Sequence, residues 1–162
     1  MALIPTYTTP VPGFDLLNEL NNVINLVNAN FQQAQGAVDS YQTNAATSGT
    51  TLLNTNVASN GVIDLTLNLT GTLAGAANAT LPTVATLLQQ LPQAQVGSTY
   101  KLRIINSSSG AFAWTVVTNT GWGTLNGTMT IAQNTWRDFI VTITSVGSAT
   151  ATLQAVGTGT QS

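Results

Sequence analysis

The sequence predicts a mainly β protein. An N-terminal extended arm and a short coiled-coil helix precede an antiparallel β-sandwich or barrel domain that contains one short helix. Three observations carry this reading. Three prolines, Pro5, Pro10 and Pro12, crowd the first thirteen residues. Apolar residues then step by three and four from Leu17 to Phe31. From Ile63 onward short alternating apolar runs are separated by Gly, Asn and Ser clusters.

Residues 1–13 form the arm. Closely spaced prolines forbid helix and favour an extended, polyproline-like chain. The arm still carries Leu3, Ile4, Tyr7 and Val11 around Pro5, which a lone extended segment cannot bury. It reads as a segment that docks on another protein, with these five residues as its contacts.

Residues 14–41 form a trimerising helix with Asp15 as its N-cap. Leu17, Ile24, Phe31 and Val38 fall at heptad position a, and Leu20, Val27, Ala34 and Tyr41 at d. Leu16 and Val23 at g widen the stripe, and the bulk of Phe31 at a disfavours a tight dimer. The reading is a parallel homotrimer with Leu17, Leu20, Ile24, Val27 and Phe31 at the interface. The helix is expected to fade between Gln33 and Ser40, after Gly36. Asn18, Asn21, Asn22, Asn25, Asn28 and Asn30 are weak helix formers, so the seam must hold the helix.

Residues 42–60 are small and polar and read as a linker, with Leu52, Leu53 and Val57 packing in part. Residues 61–158 are the β-sandwich, and 159–162 a tail. Ile63, Leu65, Leu67 and Leu69 give the first strand its buried face. "PTVATLLQQLP" is the one short helix, opened near Pro82 and stopped by Pro92. Strands follow at Tyr100/Leu102/Ile104, Phe112/Trp114/Val116, Met129/Ile131, Phe139/Val141/Ile143 and Thr152 to Val156. Trp114 and Trp136 are expected to fill the core.

Composition excludes several functions. Lys plus Arg number three and Asp plus Glu five, giving 5% charged residues and a net charge of −2. An ordinary domain has about 25% charged residues. Clustered Lys and Arg for phosphate contacts are missing, so no nucleic-acid partner is expected. With no Cys and no His, thiolate chemistry and the commonest base and metal ligand are gone. Asp64 and Asp138 read as solvated surface charges, and Asp15 and Glu19 favour the helix N-terminus. No enzyme, metal site or cofactor is expected. Asn-x-Ser/Thr triplets at Asn68, Asn78, Asn106 and Asn126 are what such a composition produces by chance. No apolar run suits membrane insertion. The opening "MALIPTYTTPVPG" does not read as a secretory leader, so the expectation is release by another route, such as lysis.

The stretches "LPTVATLLQQLPQAQVGSTYKLRIINSSSGAFAWTV", "GTLNGTMTIAQNTWRDFIVTITSV" and "ATLQAVG" together resemble a domain of tailed-bacteriophage virion proteins. These are the capsid decoration proteins, head fibres and tail-associated fibres. The resemblance spans about Pro82 to Gly157, and "GWGTLNGTMTIAQNT" is its best local marker. It implies a non-enzymatic virion protein and does not itself say which part of the virion; the short chain and the arm favour the outer capsid surface, with the arm attached to the major capsid protein. The alternative is a trimeric tail-fibre or spike protein that recognises a host surface glycan. Trp122, between two glycines, is then the candidate ligand contact.

Overall fold

The computed structural model describes residues 16–34, 39–59 and 64–161. The chain divides into two compact units, Met1–Ala37 and Val38–Ser162. In the first, α1 spans Leu16–Ala34. Residues 35–38, within the stretch where the helix is expected to fade, lie outside the described residues, and Tyr41, expected at a d position, belongs instead to a strand.

The second unit is mainly β, with two mixed sheets. Its elements are β1 (Ser40–Asn44), β2 (Thr50–Thr51), α2 (Asn54–Val57), β3 (Asp64–Leu69), β4 (Ala77–Thr80), α3 (Val84–Gln89), β5 (Thr99–Asn106), β6 (Trp114–Val117), β7 (Trp122–Asn126), β8 (Thr130–Ile131), β9 (Thr135–Ser145) and β10 (Thr150–Thr160). One sheet has six strands in the order β1-β3-β5-β9-β10-β7, and the other has four in the order β2-β4-β6-β8.

The antiparallel expectation is corrected here. β1, β3 and β5 run parallel, as do β2, β4 and β6. Among these six strands, consecutive ones do not pair, because each turn carries the chain across to the other sheet. Three rungs result: β1 to β2 to α2, β3 to β4 to α3, and β5 to β6. The second and third rungs pair Asp64 with Lys101, Thr72 with Ser109 and Ala77 with Trp114, a constant displacement of 37 residues. Corner hydrogen bonds continue the ladder between the strands. Leu73 N donates to Ser109 O at 2.9 Å, Leu81 N to Val117 O at 3.0 Å and Val84 N to Thr120 O at 3.0 Å. Antiparallel strands follow, β9 on β5, β10 on β9 and β8 on β6, and β7 ends the six-stranded sheet parallel to β10.

The stretch 42–60, expected as a linker, carries the rest of the first rung. Leu52, Val57 and Ala58 are buried in the common core. The core joins the inward faces of both sheets: Leu65, Leu67 and Leu69 from β3, Leu102 and Ile104 from β5, Phe139, Val141 and Ile143 from β9, and Ala79, Trp114 and Val116 from the smaller sheet. Period-two alternation produces each of these faces. α3 lies within the predicted helix. Its N-cap Thr83 accepts a hydrogen bond from Thr86 N at 3.2 Å, and Val84 and Leu87 are its buried residues.

Trp114 is fully buried as expected, but Trp136 is not a core residue. On β9 the buried positions are Phe139, Val141 and Ile143, so strand alternation puts Trp136 on the outer face.

Two buried polar residues brace the β unit from within. Asn106 ends β5 and is fully buried. Its Nδ2 donates to Phe112 O at 3.1 Å and Ile131 O at 3.0 Å, and its Oδ1 accepts from Ser108 N at 3.2 Å and from Ser108 Oγ. Tyr100 Oη donates to Val57 O at 2.6 Å, joining the third rung to the first. Burial pushes the Tyr100 phenol well above its ordinary pKa.

Asn106→Ala leaves two carbonyls and the Ser108 hydroxyl short of a partner, and is expected to cost about 2–4 kcal/mol. Urea denaturation measures it, and a cost under about 1 kcal/mol would mean that water replaces the amide. For Tyr100 the sign of the pH effect is fixed. Below pH ~10 both folded and unfolded chains hold the phenolic proton. Above it only the folded chain does, so stability falls with rising pH by up to about 1.4 kcal/mol per unit. Tyr100→Phe is expected to remove that slope and to cost about 1 kcal/mol at neutral pH. Denaturation curves from pH 7 to 11 check both, and a slope surviving in the variant would assign it to another group.

Candidate functional surfaces

The exposed face of α1 comes first. Leu20 is 40% exposed, Val23 55%, Leu26 63% and Val27 46%, while Ile24 is 4% exposed. With Ile24 at a, Leu26 (c), Val23 (g), Leu20 and Val27 (d) and Ile24 (a) fall within an arc of roughly 160°, which Glu19 also enters at c. The sequence reading saw the a, d and g residues and missed Leu26. Leu17 and Phe31 lie within the helix, but their side chains fall outside the described residues. Leu3, Ile4, Pro5, Tyr7 and Val11 lie outside them as well.

The outer face of the six-stranded sheet is the second surface. Strand alternation places Lys101 and Arg103 of β5 there, opposite Asp64 of β3 and Asp138 of β9. Lys101 Nζ lies 2.9 Å from Asp64 Oδ2, with both side chains over a third exposed. Arg103 grips Asp138 with both arms, Nε to Oδ1 at 2.6 Å and Nη2 to Oδ2 at 2.8 Å. These hydrogen bonds hold the Arg103 guanidinium above its ordinary pKa. The same guanidinium sits 4.0 Å from the centre of the Trp136 ring. Trp136 in turn rests on β10. A bulge near Val156 puts Gly157 beside Asp138 and Gly159 beside Trp136. A Cβ on Gly159 would lie 2.5 Å from Trp136 Cζ2, so the indole occupies the space that a side chain would take. Asp64 and Asp138 are therefore paired, where the sequence suggested solvated charges. The partner of Asp138 is Arg103 across the strand and not its neighbour Arg137, whose Nε donates to Thr130 O.

The third surface is a groove of about 320 Å³ lined by Thr51, Leu52, Leu53, Asn54, Pro82, Thr83, Thr86 and Asn119. It opens where the helical corners of the first two rungs meet. Trp122, the sequence candidate for ligand contact, stands behind its Pro82 wall. Its indole Nε1 donates to Pro82 O at 2.7 Å, and its half-buried ring packs against the core. The groove is uncharged, and no aromatic side chain is among its lining residues.

The chain matches no protein-family model, no curated protein and no solved structure.

Function must therefore be argued from these surfaces. Among the described residues no group of three or more Cys, Asp or Glu could hold a metal ion, and no helix is long and apolar enough to cross a membrane. The outer-face cluster is closed on itself, since Trp136 is covered by Arg103 and by the glycines of β10. What it can do is brace β5, β9 and β10. Gly159→Ala is expected to expel the indole, to shift tryptophan fluorescence and to lower stability by about 1–3 kcal/mol. Unchanged emission and stability would show that the ring swings aside without cost.

Proposed function

We propose that the chain is a non-enzymatic structural protein of a tailed-bacteriophage virion. It is a homotrimeric capsid decoration protein, a cement or head-fibre protein on the outer capsid surface. The N-terminal arm 1–13 attaches it to the major capsid protein, α1 gathers three copies, and the β unit projects.

The observation that carries this reading is the apolar arc of α1. Four large side chains, Leu20, Val23, Leu26 and Val27, are at least 40% exposed in a helix that belongs to a unit of its own. Asn occupies much of its polar side, and Asn contributes little to helix formation. Association through the arc supplies what propensity does not, and an arc this wide suits more than two helices. The low charge of the chain fits a packed assembly, and avidity explains the arm. Three weakly binding arms on one trimer hold a symmetric shell far more tightly than one could.

The alternative is a trimeric tail-fibre or spike protein that binds a host surface glycan. The geometry favours it less. Sugars stack on open aromatic faces, whereas the Trp122 ring packs inward with its N–H already engaged.

Ile24→Asp with Val27→Asp is expected to reduce the mass in solution from three chains to one, read by light scattering. An unchanged mass would sink the role of α1. Deleting residues 1–13 is expected to leave the trimer intact and to abolish binding to capsids that lack the protein. A trimer that binds host cells and ignores those capsids would move the function to receptor recognition.

A further inference from the structure

The first rung of the β unit ends both sheets. β1 is the terminal strand of the six-stranded sheet and β2 that of the four-stranded sheet, on the same side of the second rung. Edge strands normally carry a guard against pairing with other chains, such as a charged residue, a proline or a bulge. Here there is none. Residues 40–59, "SYQTNAATSGTTLLNTNVAS", contain no charged residue and no proline, and the register of β1 on β3 runs without a shift. At the opposite end of the same sheet, β7 does carry an irregularity against β10.

The direction of the main chain follows from one hydrogen bond. Thr70 N donates to Asn44 O at 2.9 Å, and Asn44 pairs with Leu69. In a parallel pair a residue bonded in this way turns both its N–H and its C=O to the partner strand, and its neighbours turn theirs away. Ser40, Gln42 and Asn44 thus address β3, and Tyr41 and Thr43 present main-chain groups at the open edge. Their side chains are exposed as well, with Tyr41 at 60%.

From this we infer that the β1 edge is a contact between copies. It receives a neighbouring copy of this chain within the trimer, which continues the sheet past Tyr41 and Thr43. The inference rests on the trimeric reading of α1. Chain length favours a copy over a foreign partner. Residues 35–39 alone separate Ala34 from Ser40, a reach of at most roughly 20 Å, so associated helices hold the three β1 strands close to one another. Tethering of this kind gives millimolar effective concentrations, at which weak edge pairing is populated. In a ring of three the β1 edge of one copy meets a different surface of the next, so the contact closes without leaving a free edge to recruit further chains.

The absence of cysteine allows a clean test on the full-length chain. Thr43→Cys is labelled with benzophenone-maleimide and irradiated in a one-to-one mixture of light and isotope-labelled chains. Thr51→Cys on β2 serves if the first variant misfolds, and Val96→Cys, 70% exposed and outside the first rung, is the reference. The expected result is inter-chain product capped at three chains, about tenfold above the Val96→Cys reference. A three-chain mass by light scattering with product no greater than the reference overturns the edge contact and leaves the trimer standing. A one-chain mass removes the trimer and the inference together. Crosslinks confined to the same chain's residues 1–15 overturn it too, because the arm of that chain would then cover the edge.

Discussion

The second half of the β unit is built on the third rung, from which β9 runs back antiparallel, and the side chain of Asn106 fixes where that rung turns. Alternation alone would let a strand slip by two residues and keep its apolar face inward. A buried amide does not tolerate such a slip. Asn106 meets the carbonyls of Phe112 and Ile131 and both hydrogen-bonding groups of Ser108 only when β5 stops where it does. Its own carbonyl accepts from Asn134 N at 2.8 Å, which sets the start of β9. One residue thus closes the third rung, positions β8 and launches the antiparallel half of the sheet. Trp114 is the contrasting case. Its indole N–H is buried without a partner, a cost on the order of 1–3 kcal/mol. A side chain of that size buries enough apolar surface to offset much of it.

Charge is scarce, and its placement follows one rule. Both cations of β5 lie on the outer face with a carboxylate opposite, so no ionic group enters the core. The two pairs differ in weight. Lys101–Asp64 is an exposed pair that salt and side-chain entropy leave almost neutral. Arg103–Asp138 is bidentate, with the Asp138 side chain 13% exposed and Trp136 stacked on the guanidinium. It binds β5 to β9, and through the glycines beneath the indole it reaches β10. Much of the rest of the surface is amide and hydroxyl, which changes little with pH or salt. That neutrality leaves geometry, not charge, to keep chains apart or bring them together.

Much of this was legible in the sequence, and the rest was hidden for identifiable reasons. The leucines of β3, the alternation of β5 and β9 and the short helix after Pro82 are local signals, and they were read correctly. Strand direction is not local. "NSSSG" looks like a hairpin turn, but Asn106 and Ser108 use it to carry the chain to the other sheet. The 37-residue displacement joins strands that share no sequence motif, so it left no repeat to detect. Residues 42–60 looked like a linker because an edge rung needs few large apolar residues. Of Leu52, Leu53 and Val57, expected to pack, Leu52 and Val57 are buried and Leu53 is exposed. Trp136 was assigned to the core on size. The clue against that was two glycines at 157 and 159, which make room for a ring only once β10 is known to lie beside β9. The arm contacts Leu3, Ile4, Pro5, Tyr7 and Val11 rest on the sequence alone.

The β unit and α1 solve opposite versions of one problem. In the β unit most large apolar side chains are inside, and those that are exposed, such as Leu53, Val96 and Val156, are scattered over different elements. In α1 the apolar arc is left open, and the polar arc is built from a residue that does little for helix stability. A helix of that composition gains its order from what it packs against. The two features left unfinished are therefore the arc of α1 and the first rung that follows it five residues later. Both carry little charge, Glu19 on the helix and Asp39 just before β1, and self-association through one raises the local concentration of the other. A selective assembly can be built this way without a charged recognition site, provided that it closes. A ring of three closes, and an open edge on an unassociated chain would not.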